Sequence, residues 1–203
     1  MLQKTESSRL LWLVAWTGML GPVLLATLLV VLTVVQYDFM RSLRWQPLVP
    51  IDWPSGLALG PYGGWMTAGF VGGGLVLMLF ARGVRQLFGQ RVAPLLFFIS
   101  GIAMLMLCFP TDPTYRTTPM TIHGVLHDAA YGLLGITFLP GMILLARKFK
   151  HLPAWHGYAR LTWWAVAIIV PSFILKGVGM YIFLLTLLAW YEMIALKIWK
   201  LTK

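Results

Sequence analysis

Cysteine and acidic residues are scarce in this sequence of 203 residues, and each scarcity excludes a class of protein. The single cysteine, Cys108, excludes an internal disulfide and any zinc site built from several cysteines, and it says nothing about the redox compartment. Six residues are acidic, and charged residues make up 11% of the chain against 59% that are hydrophobic. A water-exposed surface needs more charge than that, so we expect the apolar excess to face lipid.

Basic residues outnumber acidic ones and give a formal net charge of +10, which raises the question of a nucleic-acid partner. A nucleic-acid-binding surface gathers Lys and Arg on one solvated face, whereas here they are scattered between apolar runs. We therefore expect no nucleic-acid partner. Membrane lipids are the expected surroundings, and other membrane subunits are the protein partners that such a composition allows.

Long apolar runs predict a single bundle of transmembrane α-helices over residues 1–203, without a soluble domain. A run of about 20 apolar residues crosses the hydrocarbon core of a bilayer. The first run exceeds a signal-peptide core and lacks a cleavage pattern, so we expect it to stay as a span. Pro171 and Lys176 predict that the fifth span is short and kinked. The predicted spans cover residues of about 10–35, 65–81, 93–109, 122–146, 161–175 and 179–198.

The positions of Lys and Arg predict the orientation of these six spans, because cytoplasmic loops of membrane proteins retain basic residues. If the spans alternate in direction, 12 of the 16 Lys and Arg fall on one side. The other 4 are Arg41, Arg44, Arg116 and Lys176. We therefore predict an all-α, polytopic six-span bundle in the cytoplasmic membrane, with both termini on the cytoplasmic side.

Glycines in the second span predict a close approach of neighbouring helices. Gly69 and Gly73 are four residues apart and lie on one helix face, where the missing side chains allow another backbone to come near. This small-xxx-small spacing is common in membrane helices, so helix packing is the main interpretation. A groove for a lipid or cofactor is the alternative.

The densest polar cluster lies between the third and fourth predicted spans, on the outer side. His123 and His127 are four residues apart at the start of a helix, so they share one face at roughly 6 Å. Tyr131 continues this face one turn deeper. Asp112 lies next to prolines, in a turn that could carry its carboxylate over the histidines. Asp128 points about 100° away from His127, toward another helix.

Several interpretations of this cluster are open. His123, His127 and Asp112 could ligate zinc and leave a position for water, as in metal-assisted hydrolysis. Copper is an alternative metal, because soft Met and Cys side chains lie nearby, and haem is less favoured because axial ligands normally come from different helices. Without a metal, the histidines could hydrogen-bond to Asp112, Arg116 or loop carbonyls, or the cluster could bind a lipid headgroup.

Glu192 is the other notable polar residue, in the inner half of the sixth predicted span. An ionisable group inside a span is costly unless it is paired, protonated or facing a cavity. Three roles are open for Glu192: a proton or substrate path, an ion pair with another helix, or a side chain that reaches the inner interface. Its depth separates it from the outer cluster.

One short segment resembles the DUF998 family, which comprises small multi-pass membrane proteins of bacteria and archaea. The resemblance lies in the turn FPTDP at residues 109–113 and in the following Thr121, His123, Gly124, His127 and Asp128. It implies the six-span plan for the whole chain. Because the family is a domain of unknown function, it supplies no catalytic residues. Asp112, His123 and His127 match its polar motif.

Three functions are compatible with these observations. The first is a non-catalytic membrane protein whose outer polar cluster binds a lipid headgroup or another membrane subunit. The second is a metal-dependent membrane hydrolase that acts on a lipid-like substrate. The third is an accessory subunit of a larger energy-converting or photosynthetic membrane complex. The sequence does not decide whether the protein is an enzyme.

Overall fold

The computed structural model describes residues 2–43, 53–113, 119–174 and 178–202, and within these ranges it contains helices and no strand. This confirms the all-α class. Two 3₁₀ turns, Pro54–Leu59 and Pro153–Trp155, lie in the connections. The α-helices of the described ranges are α1 (Leu2–Val35), α2 (Tyr37–Ser42), α3 (Gly63–Phe88), α4 (Val92–Met106), α5 (Ile122–Lys150), α6 (His156–Ile174) and α7 (Val178–Thr202).

The six long helices form a closed ring. From α3 to α7 each helix packs against its neighbour in the chain, and α1 closes the ring by packing against α3 and α7. Helices α1 and α7 are antiparallel, because Gly18 lies against Ala195 while Thr33 Oγ1 lies 3.2 Å from Tyr181 Oη. The start of α1 and the end of α7 therefore lie at the same end of the bundle.

The alternation of helix directions gives the bundle two different ends. We call the end with α2, the turn Pro54–Leu59 and the connection from α4 to α5 the loop end. The opposite end, the basic end, carries most of the described Lys and Arg. These are Arg9 on α1, Arg82 and Arg85 on α3, Arg91 before α4, Arg147, Lys148 and Lys150 on α5, Arg160 on α6, and Lys197 and Lys200 on α7.

Aromatic side chains fill the middle of the ring. Phe80, Phe97, Phe138 and Trp190 come from α3, α4, α5 and α7 and are each less than 2% exposed. The rings of Phe80 and Phe97 pack edge to face at 5.4 Å, and those of Phe138 and Trp190 at 5.7 Å. Trp190 Nε1 donates to Thr162 Oγ1 on α6 at 2.9 Å. Such ring pairs contribute about 0.5–1.5 kcal/mol each beyond their buried area.

Glycines allow α3 to approach both of its neighbours, as the sequence predicts. A Cβ at Gly69 would lie 2.9 Å from a Leu28 methyl of α1, and one at Gly73 would lie 2.5 Å from Cε of Met104 on α4. Between α3 and α4 the two backbones nearly touch, because a Cβ at Gly74 would lie 2.7 Å from the carbonyl oxygen of Gly101. The predicted packing role of Gly69 and Gly73 is confirmed.

Four helical segments are long and apolar enough to cross a membrane, namely Ser8–Val35, Gly63–Phe88, Ile122–Lys150 and Gly179–Thr202. Helix α4 is apolar but shorter, and α6 has 19 residues with Pro171 near its end. Large apolar side chains such as Leu24, 67% exposed, cover the outside of the bundle. The chain is therefore a multi-pass membrane protein. Six spans and cytoplasmic termini remain predictions.

Helix α4 ends three residues earlier than the predicted third span. The sequence predicts a span to residue 109, whereas α4 ends at Met106 and the chain turns over Leu107 to Phe109. Pro110 accounts for this, because the ring of a proline disfavours helical backbone at the residue before it. Phe109 therefore lies outside the helix, in the connection to α5.

Candidate functional site

Asp112 fastens the connection after α4 to the start of α5. Its Oδ2 accepts a hydrogen bond from the backbone N–H of Thr121, and its Oδ1 accepts one from the Thr121 hydroxyl, both at 2.8 Å. Thr121 is the N-cap of α5, and its Oγ1 accepts from the N–H of Gly124 at 3.0 Å. The carboxylate is stabilised there by the positive end of the helix dipole.

Gly124 leaves the space that the Asp112 carboxylate occupies. A Cβ built at this buried glycine would collide with Oδ2 of Asp112. Side chains larger than hydrogen are therefore incompatible with Asp112 in its present position. Asp112, Thr121 and Gly124 form one unit, which we call the α5 cap.

His127 fastens the same connection one turn further along α5. The side chain is 3% exposed, and its Nδ1 lies 2.8 Å from the carbonyl oxygen of Phe109. Because a carbonyl only accepts hydrogen bonds, Nδ1 carries the proton and Nε2 is the acceptor in the neutral ring. The Phe70 ring and the imidazole pack edge to face with a centroid distance of 6.3 Å. His127 therefore links α5 to the end of α4 and to α3.

Tyr131 lies below His127, and both line a small, partly open cavity. Tyr131 Oη donates to Met180 Sδ at 3.2 Å, and the Tyr131 ring packs against Trp53 at 5.8 Å. The cavity lies between α3, α5 and α7 and has a volume of about 40 Å³. A water molecule occupies about 30 Å³ in the liquid, so the cavity has room for water and not for a lipid headgroup.

His123 and Asp128 are the predicted site residues that reach the surface. Both side chains are exposed, and the His123 ring stacks on Phe109 with a centroid distance of 6.0 Å and an interplanar angle of 23°. His123 and His127 were predicted to share one face, yet one is exposed and the other is buried. The reason is that His123 lies in the first turn of α5, whereas His127 lies one turn deeper, against Phe70.

The structure brings Asp112, His127 and Tyr131 into contact with the rest of the loop end, each with the bonds described above. Within the described residues, no group of three or more His, Cys, Asp and Glu could hold a metal ion. The zinc or copper site stays a prediction. The hydrogen bonds that His127 and Asp112 make within the protein favour a structural role for these two residues. Arg116, the remaining residue predicted for this cluster, lies outside the described residues.

Glu192 is remote from the α5 cap. It is half-buried on α7, in the half of the helix nearer the basic end, next to Tyr191. Tyr191 is buried and donates from its Oη to the carbonyl oxygen of Val76 at 3.1 Å. The structure therefore keeps Glu192 apart from the loop-end residues, as its position in the sequence indicates.

Thr121 is one loop-end residue whose role was missed in the sequence. It had a readable signal, because a threonine immediately before an apolar helical run is typical of an N-cap. The carbonyl of Phe109 had no such signal, since every residue carries a backbone carbonyl and its partner is decided by the turn after α4.

Comparison with known protein families gives a match over most of the chain. A family model described as "Protein of unknown function (DUF998)" matches residues 19–198. The matched range contains α2 to α6 entirely, half of α1 and most of α7. No curated protein and no solved structure matches the chain.

Proposed function

Because the chain belongs to the DUF998 family, whose function is unknown, we propose a function from the loop end itself: non-catalytic binding of a lipid headgroup. The surface we assign to this role consists of His123 and Asp128 with the exposed apolar residues Met120, Ile122 and Val125. We call it the loop-end surface. In this proposal the loop end faces the outside of the cell and the basic end faces the cytoplasm, since cytoplasmic loops retain Lys and Arg.

The observation that supports this proposal is the division between bonded and exposed polar groups. Asp112, Thr121 and His127 are engaged with the backbone and with each other, so they hold the connection in one shape. His123 and Asp128 are exposed on the helix that this scaffold supports. An imidazole donates to a phosphate oxygen, and a carboxylate attracts the ammonium of a zwitterionic headgroup.

Apolar side chains beside these polar groups suit a lipid better than a water-soluble ligand. Ile122 is 78% exposed and Val125 is 50% exposed. In water such side chains are costly, whereas at the boundary between headgroups and acyl chains they contact hydrocarbon. The loop-end surface thus offers both polar and apolar contacts to lipid.

Lipid retention by the purified protein tests the proposal. The full chain and its His123→Ala/Asp128→Asn variant are purified in mild detergent, and bound phosphatidylethanolamine is counted by native mass spectrometry. We expect the variant to bind this lipid about tenfold more weakly, equivalent to about 1.4 kcal/mol. The matched control is Asp38→Asn/Arg41→Gln, which removes two exposed charges from α2 at the same end. Equal binding by the variant and the wild type would contradict the proposal.

The same preparations distinguish the alternative functions. Zinc or copper in stoichiometric amount, lost in both His123→Ala and His127→Ala, would replace the proposal by the metal-dependent hydrolase. A membrane protein that co-purifies in constant ratio and is released by His123→Ala/Asp128→Asn would replace the lipid by a partner subunit. Both results differ from the expected outcome, in which the chain binds lipid and carries neither a stoichiometric metal nor a partner subunit.

A further inference from the structure

A cleft at the basic end differs from the loop-end surface because arginines line it. It lies between the end of α3 and the start of α4 and has a volume of about 290 Å³. It is lined by three arginines, Arg82, Arg85 and Arg91. The apolar side chains Leu95 and Phe98 line it further along α4. No acidic residue is among those that line it. We call it the arginine cleft.

Local backbone geometry brings the three arginines together. Arg82 and Arg85 are three residues apart, so they share one face of α3. Gly89 ends α3 with a φ of 62°, a left-handed conformation that favours glycine, and its N–H donates to the carbonyl of Arg85 at 3.0 Å. The tight turn that follows places Arg91 at the start of α4, beside the last turn of α3.

The charge of the cleft indicates an anionic occupant. All three arginines are exposed, and their like charges repel one another unless an anion lies between them. The guanidinium group is planar and donates two parallel hydrogen bonds, a geometry that matches the oxygens of a phosphate. Basic pockets between membrane helices are suited to the headgroups of anionic lipids.

The apolar part of the cleft indicates that this anion carries hydrocarbon. Leu95 is 57% exposed and Phe98 is 37% exposed, and they follow Arg91 along α4 in the direction of the loop end. A headgroup phosphate among the arginines would therefore place its acyl chains along these two side chains. The volume is near the lower limit of small-molecule sites, about 300 Å³, which suits a headgroup with the chains outside.

Tryptophans at the same end of the bundle mark the depth of the lipid headgroups. Trp163 and Trp164 are 43% and 65% exposed and line an open groove on α6 together with Arg160 and Lys150. Exposed tryptophans are enriched at the boundary between hydrocarbon and headgroups. The basic end therefore lies at headgroup level, where a phospholipid phosphate is the abundant anion.

From these observations we propose that the arginine cleft binds an anionic phospholipid, with its phosphate held by Arg82, Arg85 and Arg91 and its acyl chains along Leu95 and Phe98. This site is independent of the loop-end surface, because the two lie at opposite ends of the bundle. Phosphatidylglycerol is a suitable probe, since it carries a net negative charge, and phosphatidylcholine is its zwitterionic counterpart.

The test compares two variants of the full chain with equal loss of charge. Arg82→Gln/Arg85→Gln/Arg91→Gln removes the cleft, whereas Arg147→Gln/Lys148→Gln/Lys200→Gln removes three charges at the same end that do not line it. Binding of phosphatidylglycerol and phosphatidylcholine is measured by native mass spectrometry in mild detergent. We expect the wild type and the control to prefer phosphatidylglycerol about tenfold, or about 1.4 kcal/mol, and the cleft variant to lose this preference.

Equal loss in both variants would contradict the proposal, because it would mean that general positive charge attracts the lipid. A preference that survives in the cleft variant would contradict it as well. Thermal unfolding checks that the variants are folded, which we expect because the three arginines are exposed. Arg82→Lys/Arg85→Lys/Arg91→Lys keeps the charge but lacks the planar guanidinium groups, so it should retain an intermediate preference. A full wild-type preference in this variant would contradict the role given to the guanidinium groups.

Two further measurements distinguish this proposal from binding of free phosphate and from the loop-end proposal. Inorganic phosphate at millimolar concentration should leave the bound phosphatidylglycerol in place, because it lacks acyl chains. Displacement would mean that the cleft binds free phosphate, and would overturn the lipid assignment. The loop-end variant His123→Ala/Asp128→Asn should keep the full preference for phosphatidylglycerol, so failure of the loop-end proposal leaves this one standing.

Discussion

Hydrogen bonds fasten the loop end of the bundle, whereas stacked aromatic rings fasten the basic end. At the loop end, Asp112 and His127 bind Thr121 and the carbonyl of Phe109. At the basic end, the rings of Phe149 and Trp155 stack with a centroid distance of 4.7 Å and an interplanar angle of 15°. The Phe88 ring packs edge to face on both, at 5.3 Å and 5.0 Å.

The difference decides which polar groups are available for binding. At the loop end, Asp112, Thr121 and His127 hold the backbone, whereas His123 and Asp128 are exposed. The basic end is held by apolar rings, so the arginines of the cleft are not needed to hold it together. The nearby Lys197 Nζ lies 5.8 Å from the ring centroids of Trp155 and Tyr158, which ties one cation to the rings.

The largest expected effect is a loss of stability caused by a substitution at the basic end. Phe149 is fully buried between Phe88 and Trp155, so Phe149→Ala leaves a cavity and should lower the free energy of unfolding by about 3–5 kcal/mol. Unfolding by SDS in detergent micelles, followed by tryptophan fluorescence, measures this change. Trp164→Ala is the control, because Trp164 is 65% exposed, and it should change stability by less than about 0.5 kcal/mol. Similar losses in both would contradict the stacking account.

A smaller effect is expected from crowding the α5 cap. Gly124→Ala places a methyl group where the Asp112 carboxylate lies, and it should cost about 1–3 kcal/mol in the same SDS unfolding measurement. Gly132→Ala on the same helix is the control, because its Cβ would meet no atom within 4 Å. It should be neutral or stabilising, since alanine favours helix over glycine by about 1 kcal/mol.

The origin of the cost at Gly124 can be checked by removing the group that it meets. In the Gly124→Ala/Asp112→Ala double variant the methyl group has space. The double variant should therefore lose less stability than the two single variants lose together. Strictly additive costs would mean that the carboxylate and Gly124 do not compete for space, and that another feature makes glycine necessary there.

The smallest effect is expected from the N-cap itself. Thr121→Ala removes the hydroxyl that accepts from Gly124 and donates to Asp112, and should cost about 0.5–2 kcal/mol. Hydrogen exchange should become faster in the first turn of α5 and stay unchanged around Phe149, because the cap acts at one end of the bundle. Thr121→Ser keeps the hydroxyl and should behave as the wild type. Faster exchange at both ends would mean that the two ends are coupled.

The sequence allowed the loop-end residues to be found and left their partners open. Asp112, His123 and His127 stand out because polar residues are rare in such an apolar chain. The split between buried His127 and exposed His123 depends on where α4 ends and on the position of Phe70, which belongs to another helix. The arginine cleft was not predicted, because Arg82, Arg85 and Arg91 are separated along the chain by the turn at Gly89 and were counted only as topology signals.

The sequence alone determined that this is an all-helical, multi-pass membrane protein, because the length and apolar content of each run are local properties that a bilayer selects directly. The match to the DUF998 family also comes from the sequence alone. The closure of the six helices into a ring, the aromatic filling of its middle and the bonds of the α5 cap were decided by the tertiary structure. The same holds for the meeting of three arginines in one cleft. These features depend on contacts between residues far apart in the chain, and such contacts exist only once the helices are packed.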